Sequence, residues 1–178
     1  MNDEAALLAR IRAGDQDEFG ELVRVHQDMV FGILGRYERD AHEIEDQAQE
    51  VFLRAWRALD RFDGRVPFSH WLGRIATRIA LDHLRRKRRQ REIPWEDVDL
   101  GETALEGLRA CDAEGEVGAE AAREILDAAL QRLSSEEQMV LTLLEIEERT
   151  VKETAELTGW TGVGVRVRAH RARKKLAR

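Results

Sequence analysis

The stretch Thr150-Val-Lys-Glu-Thr-Ala-Glu-Leu-Thr-Gly159, continued by Trp160-Thr-Gly-Val-Gly-Val-Arg-Val-Arg-Ala-His-Arg-Ala-Arg-Lys-Lys-Leu-Ala-Arg178, decides how the chain reads. Two helices that cross closely need a small residue midway along the first, and Ala155 supplies it. Four residues later Gly159 tolerates the positive φ of a sharp turn. Thr161 is placed to cap the second helix, and Val165, Ala169, Ala172 and Leu176 fall on one stripe of it. The pattern is a helix-turn-helix, and Arg166, Arg168, Arg171, Arg173, Lys174, Lys175 and Arg178 lie where a recognition helix meets DNA. No acid occurs from Trp160 to the end, so a surface laced with salt bridges is not expected there. A solvated basic tail is the blander alternative, and the spacing favours the motif.

The rest of the chain changes sign around this helix. The 178 residues carry a formal net charge of -6, yet Arg85-Arg-Lys-Arg-Arg-Gln-Arg91 forms a second basic cluster. The segment 92–124 answers it with eleven acids against Arg109 and Arg123. Regional sign, not the total, is what a partner meets. Cys111 is alone, so neither a disulfide framework nor a cysteine zinc site can be built, and no catalytic residue, cofactor or metal is expected. The acidic first residues and the lack of a long apolar run point to a soluble cytoplasmic protein with no membrane insertion.

Only Pro67 and Pro94 interrupt a sequence of helix formers, and no sustained two-residue alternation appears, so the fold class is all-α. Helices are expected over about 3–13, 15–25, 26–37, 41–59 and 68–89. Expected core residues include Phe19, Leu22, Val23, Val25, Met29, Val30, Ile33, Leu34, Val51, Phe52, Ala55, Trp56 and Leu59. These make a first small helical domain over 1–91. Residues 92–120 are rich in Glu, Asp, Gly and Ala and cannot build a core, so they read as an acidic flexible linker. From 121 to 178 periodicity returns. Ile125, Leu126, Ala129, Leu130 and Leu133 mark a helix, Ser134-Ser-Glu-Glu137 is a capping-box pattern that opens the next, and the helix-turn-helix completes the second small domain.

Two parts of the first domain carry interaction chemistry. Asp46, Gln49, Glu50 and Leu53 follow i, i+3, i+4 and i+7 spacing, which puts acid and amide groups on one helix face that is either simply solvated or docks a basic partner. The run Phe62-Asp-Gly-Arg-Val-Pro-Phe-Ser-His-Trp71 then joins a glycine-bearing loop to an aromatic helix start, followed by Arg74, Arg78, His83 and the basic cluster. Rings beside cations suit unpaired bases, since stacking is worth about 1–3 kcal/mol per base. Trp71 is equally suited to the core with Leu72 and Ile75. Phe68, Ser69 and His70 have no obvious apolar partners in the sequence.

Four segments together resemble one family. They are Glu45-Asp-Gln-Ala-Gln-Glu-Val-Phe-Leu-Arg-Ala-Trp56, Phe68-Ser-His-Trp-Leu-Gly-Arg-Ile-Ala76, Asp82-His-Leu-Arg-Arg86 and Val165-Arg-Val-Arg-Ala-His-Arg-Ala-Arg-Lys-Lys-Leu176. In this order they are similar to bacterial RNA polymerase sigma factors of the extracytoplasmic-function (ECF) group of the sigma-70 family, over nearly the whole chain except the linker. The resemblance implies that Asp46, Gln47, Gln49, Glu50, Leu53, Arg54 and Arg57 bind core RNA polymerase. It implies that Arg61, Phe68, Ser69, His70, Trp71, Arg74, Arg78, Arg85 and Arg86 engage the melted minus-10 promoter element. Thr161, Gly164, Arg166, Val167, Arg168, His170, Arg171 and Lys174 would read the duplex minus-35 element. An anti-sigma factor covering these faces is the implied regulator.

Two positions depart from the family pattern. Arg78 stands where Asn is usual, and Val163-Gly-Val-Arg166 replaces the commoner Gly-Thr-Val-Lys, so Gly164 brings no hydroxyl and costs the helix up to about 1 kcal/mol relative to Ala. Weaker or altered minus-35 discrimination is expected. A stand-alone operator-binding regulator is the first rival reading, but the N-terminal half shows no ligand-cavity signature. An enzyme is the other; His70, His83, Asp82 and Glu45 offer acid and base groups, yet no nucleophile motif, phosphate loop or metal spacing accompanies them.

Overall fold

A computed structural model describes residues 2–91, 129–130 and 132–177, so the expected linker, Cys111 and the start of the helix expected near 121 lie outside the described residues. Every regular element among the described residues is helical. These residues divide into two compact units, one running to residue 84 together with 155–160, the other made of 85 to 154 together with 161–178. Each is a helical assembly with its own core.

In the first unit α1 (Asn2–Arg12) buries Leu7, Leu8 and Ile11, and a short tight turn (Gln16–Glu18) leads into α2 (Phe19–Leu34). The expected break between residues 25 and 26 does not exist. Leu22, His26, Val30 and Leu34 repeat every four residues and are all buried, so the two expected helices are one. Val25, expected inside, is 60% exposed because it faces away from that stripe. His26 is accepted in the core because its Nε2 meets Glu4 Oε2 at 2.9 Å.

Asp40 starts α3 (Ala41–Ala58) by accepting the backbone N–H groups of His42 at 2.9 Å and Glu43 at 3.2 Å. Val51, Ala55 and Leu59 are buried as expected. Phe52 and Trp56 are only half-buried. A one-turn helix (Leu59–Arg61) and an exposed loop lead to α4 (Phe68–Arg91), which opens beneath Pro67. The Pro67 carbonyl accepts from the N–H groups of His70 and Trp71, and the proline itself contributes no donor that would need a partner.

The turn before α3 is fixed to α4 by a buried acid. Glu38 Oε2 lies 2.6 Å from His83 Nε2, with the two side chains 4% and 3% exposed. Its Oε1 accepts from Arg39 N at 2.8 Å and Asp40 N at 3.0 Å. His83 therefore has a structural partner, and Glu43 Oε2 is 3.7 Å from its other ring nitrogen.

In the chain after residue 132 the capping box holds as read. Ser134 Oγ accepts from Glu137 N, and Glu137 Oε2 accepts from Ser134 N at 2.8 Å, which opens α5 (Ser135–Leu141). A wider helical turn follows (Thr142–Ile146), and Glu148, at φ +51, bends the chain toward α6 (Val151–Thr158). Thr150 and Glu153 form a second reciprocal cap, with Thr150 N to Glu153 Oε2 at 2.8 Å and Glu153 N to Thr150 Oγ1 at 3.2 Å. Gly159 takes φ +75, the turn geometry expected of it. Thr161 then caps α7 (Gly162–Leu176) through Gly164 N. Val165, Ala169 and Ala172 are buried, whereas Leu176, expected on the same stripe, is 39% exposed where the helix ends.

Candidate nucleic-acid and partner interfaces

Helix α3 presents a mixed face. Asp46, Gln49, Leu53, Arg54 and Arg57 are exposed, and Glu50 is half-buried and paired to Arg54 at 2.6 Å. Arg54 also stands 4.0 Å from Asp82. Gln47 differs from the expectation: it is 5% exposed and its Nε2 donates to the Glu43 carbonyl at 3.1 Å, so it faces inward. Beside the polar stripe lies an open apolar groove of about 370 Å³, lined by Phe19, Val23, Gln49, Phe52, Leu53 and Trp56. Phe19 meets Trp56 edge to face, with ring centroids 4.9 Å apart. Gln49 and Leu53 thus belong to both the polar row and the groove. Such a surface suits a partner that brings charged groups and an apolar ridge together.

The loop before α4 rests on a cluster of rings. Phe62 and Phe68 lie 5.5 Å apart, Phe62 and Trp71 5.2 Å, Phe68 and Trp71 5.4 Å, and His26 and Phe68 5.2 Å. Phe68 is 2% exposed, which corrects the expectation that it offers a face to a base. Its apolar ring partners, Phe62 and Trp71, come from within the same run, and only His26, on α2, is distant in sequence. Trp71 and Ser69 are half-buried at the edge of the cluster, and His70 is exposed. From there His70, Arg74 and Arg78 follow at four-residue steps along α4, all exposed, while Arg61 is exposed before the loop. Arg86 is exposed and Arg85 half-buried, its Nε donating to Glu136 Oε1 at 2.8 Å.

Arg12 is a contributor that the sequence did not reveal. From α1 its Nη2 donates to the Phe62 carbonyl and, at 3.5 Å, to that of Leu59, while its guanidinium carbon sits 5.9 Å from the Phe62 ring centre. It holds the turn from which the loop departs. Nothing in the local pattern marks it, because its partners lie 47 and 50 residues away.

On α7 the charge is sorted by direction. Arg166, Val167, His170, Arg171 and Lys174 are exposed, as is Thr161, and Gly164 and Arg168 are half-buried. Two cations are paired after all: Arg173 Nε with Glu145 Oε1 at 3.1 Å and Lys175 Nζ with Glu137 Oε2 at 2.7 Å. The expectation of an unpaired basic helix fails at these positions because the acids come from outside the stretch. Burial alone would raise the Glu137 carboxyl, but Lys175 and the hydrogen bonds from Ser134 hold it below the ordinary glutamate range. For Glu136 burial acts in the same upward direction, and the Arg85 hydrogen bond together with the charges of Arg85 and Arg168 brings it down. Arg168 Nη1 folds back to the Gly164 carbonyl at 3.1 Å.

Comparison with known proteins gives this arrangement its family. Sigma-70 region 2 matches residues 22–90, and sigma-70 region 4 matches residues 123–176. The ECF RNA polymerase sigma factor SigW of Bacillus subtilis is 30% identical over 177 residues, covering 95% of this chain and 92% of that protein. This chain belongs to the ECF group of the sigma-70 family. The ECF RNA polymerase sigma-E factor of Escherichia coli K12 is 31% identical over 97% of this sigma factor and 92% of its own length. Among solved structures, CnrH in complex with the cytosolic domain of CnrY is 27% identical, covers 97% of this chain and 93% of its own, and superposes with a TM-score of 0.58. The sigma factor RpoE bound to the anti-sigma factor NepR from Bartonella quintana shares the fold at 15% identity, with a TM-score of 0.55 over 89% of this chain and 94% of that one.

The faces described above fall within the two matched regions. The α3 stripe, the ring cluster and the row on α4 all lie in region 2, and α7 lies in region 4. Arg12 lies outside both matched ranges. Among the described residues no group of three or more His, Cys, Asp or Glu is placed to hold a metal ion, and no helix is long and apolar enough to cross a membrane.

Proposed function

We propose that this sigma factor docks on core RNA polymerase through the exposed α3 residues Asp46, Gln49, Glu50, Leu53, Arg54 and Arg57 and the adjoining groove. The ring-supported loop, with Ser69, His70 and Trp71 at its edge and Arg61, Arg74, Arg78, Arg85 and Arg86 around it, takes the melted minus-10 element. Helix α7 enters the minus-35 major groove with Thr161, Gly164, Arg166, Val167, Arg168, His170, Arg171 and Lys174 along the DNA. The functional divisions are residues 1–91 for polymerase and minus-10 contacts, 92–120 as linker, and 121–178 for minus-35 recognition. The chain acts as the promoter-directing subunit of the polymerase, not as a catalyst, in the cytoplasm, under the control of an anti-sigma factor.

The observation that carries this reading is the pairing of two matched sigma regions with two exposed cationic faces, one beside rings and one on a capped recognition helix. Control by a bound protein partner is supported by CnrH, solved in complex with the cytosolic domain of CnrY. The burial of His83 against Glu38 favours a structural role for the residue that an acid-base mechanism would have needed most.

The test is reconstitution. Core polymerase from the host, with and without the full chain, is offered a pool of promoter-length duplexes, and transcripts are sequenced at their 5′ ends. Initiation from a discrete set of duplexes sharing two spaced elements, present only with the chain, is the expected result. Binding of the chain to duplex DNA with no initiation by the polymerase would overturn the reading in favour of a stand-alone regulator.

A further inference from the structure

The first turns of α7 contain an arrangement that the sequence alone does not disclose. Helical side chains lean toward the N-terminus, so the Arg168 chain runs back over residue 164. There its Nη1 donates to the Gly164 carbonyl at 3.1 Å. A β-carbon built at residue 164 would lie 2.9 Å from that same Nη1 and 3.1 Å from Thr161 Oγ1. The first distance is shorter than real contacts allow. A guanidinium in this position therefore requires a bare α-carbon at 164.

The guanidinium lies among polar and charged neighbours. Gly164 and Arg168 line an open depression of about 390 Å³ together with Ser134, Glu136, Val167 and Arg171. Glu136 is a charged neighbour that feels Arg168 electrostatically. Arg168 is half-buried, unlike the exposed Arg166 and Arg171 on the same helix.

We propose that Gly164 is a specificity-determining position that acts through Arg168, letting its guanidinium lie back one helical turn and so deciding which base pair of the minus-35 element that guanidinium addresses. The proposal deepens the reading of α7 as the minus-35 helix and rests on it. One turn of helix is about 5.4 Å, and successive bases are about 3.4 Å apart along the duplex. A β-carbon at 164 displaces the flexible end of Arg168 from its place on the first turn, and a guanidinium that then extends one turn further along the helix travels more than one base-pair step. The loss of a threonine hydroxyl is the lesser consequence of Gly164; the greater is the space it opens for an arginine four residues on.

A double-mutant cycle tests this. Holoenzyme assembled from core polymerase and the full chain is bound to a duplex pool randomised over both promoter elements, and the bound fraction is sequenced. The proteins are the parent, Gly164→Ala, Arg168→Ala, the double variant Gly164→Ala/Arg168→Ala and, as a reference, Arg166→Ala. Gly164→Ala keeps the thermal midpoint within about 3 °C of the parent, since propensity gain and local crowding oppose each other. It shifts base preference at one or more minus-35 positions by about fivefold or more, the lower bound for moving an arginine contact. In the Arg168→Ala background the same change shifts preference by less than about twofold. Equal shifts in both backgrounds would overturn the proposal, because Gly164 would then act without Arg168. So would a sharp minus-35 profile that responds to Arg166→Ala but to neither Gly164→Ala nor Arg168→Ala, which leaves the reading of α7 intact. A parent profile flat across the minus-35 element would remove that reading and this proposal together.

Discussion

Replacing Glu38 by alanine isolates the energetic role of the buried acid between the α2–α3 turn and α4. The carboxylate accepts two backbone N–H groups, from Arg39 and Asp40, and meets His83 Nε2 at 2.6 Å. Water can partly replace it at the two half-buried N–H groups, for a loss of about 0.5 kcal/mol each. It cannot readily reach the His83 side chain, only 3% exposed, and an imidazole nitrogen deprived of its partner there costs about 2 kcal/mol. The sum is about 3 kcal/mol, at the lower end of what breaking a buried charged pair costs. For a chain of this length that lowers the thermal midpoint by about 8 °C. Glu38→Gln keeps an acceptor for the turn and loses about 1 kcal/mol. Urea and thermal unfolding of the full chain, followed by far-ultraviolet circular dichroism, measures both. Combining Glu38→Ala with His83→Phe gives a coupling energy of about 1–2 kcal/mol. A cost below about 1 kcal/mol for Glu38→Ala would refute the argument, since it would mean that water already solvates the pair.

Further expectations follow from the other faces. Leu53→Ala removes an exposed apolar anchor from the edge of the α3 groove, so affinity for core polymerase falls about tenfold while the circular dichroism spectrum is unchanged; fluorescence titration of labelled polymerase reads it, and unaltered affinity would move the docking site elsewhere. Arg12→Ala releases the turn beneath the ring cluster and slows strand opening about fivefold with core affinity preserved, as seen with a 2-aminopurine reporter in the minus-10 strand. The Glu137 carboxyl titrates below its ordinary value of 4.5, so it adds stability above that pH and loses its contribution as the pH falls through the lowered folded value. Glu137→Gln should therefore melt a few degrees lower than the parent at pH 7, and the gap should narrow as the pH falls below 4.5 and close beneath the lowered folded value; a gap independent of pH would rule out the charge as its source. Lys174→Ala weakens binding to all duplexes similarly and reduces the slope of log affinity against log salt by about one.

Local rules made much of this chain legible. A cap, a glycine at positive φ and a stripe at helical spacing each depend on residues within a few positions, and Ser134, Thr161 and Gly159 perform as their chemistry dictates. The single α2 helix, where the sequence suggests two, carries His26 on its buried stripe, and Glu4 on another helix supplies the partner that His26 has there. Phe68 packs on Phe62 and Trp71 of its own run once the loop folds back, and Gln47 turns inward with its Nε2 on the Glu43 carbonyl, although its Oε1 finds no hydrogen-bond partner among the described residues. Phe52 and Trp56 satisfy a core pattern yet border an open groove, since periodicity identifies an apolar face without revealing what covers it. The partners of Arg12, Arg173 and Lys175 are fixed by the fold, so no reading of the terminal stretch alone assigns them.

The ion pairs of Arg173 with Glu145 and Lys175 with Glu137 also bear on how the helix finds its groove. A cylinder charged on every side meets a phosphate backbone in any rotation, and most of those encounters must dissociate before a correct one forms. Pairing the cations that flank the buried stripe weakens attraction in the rotations that turn this stripe toward the backbone, and favours the arc carrying Arg166, Lys174 and Arg171, through which α7 is proposed to meet the DNA. The acids of α5 and the turn after it thus act as orientational filters, trading total attraction for a larger share of encounters that begin face-on.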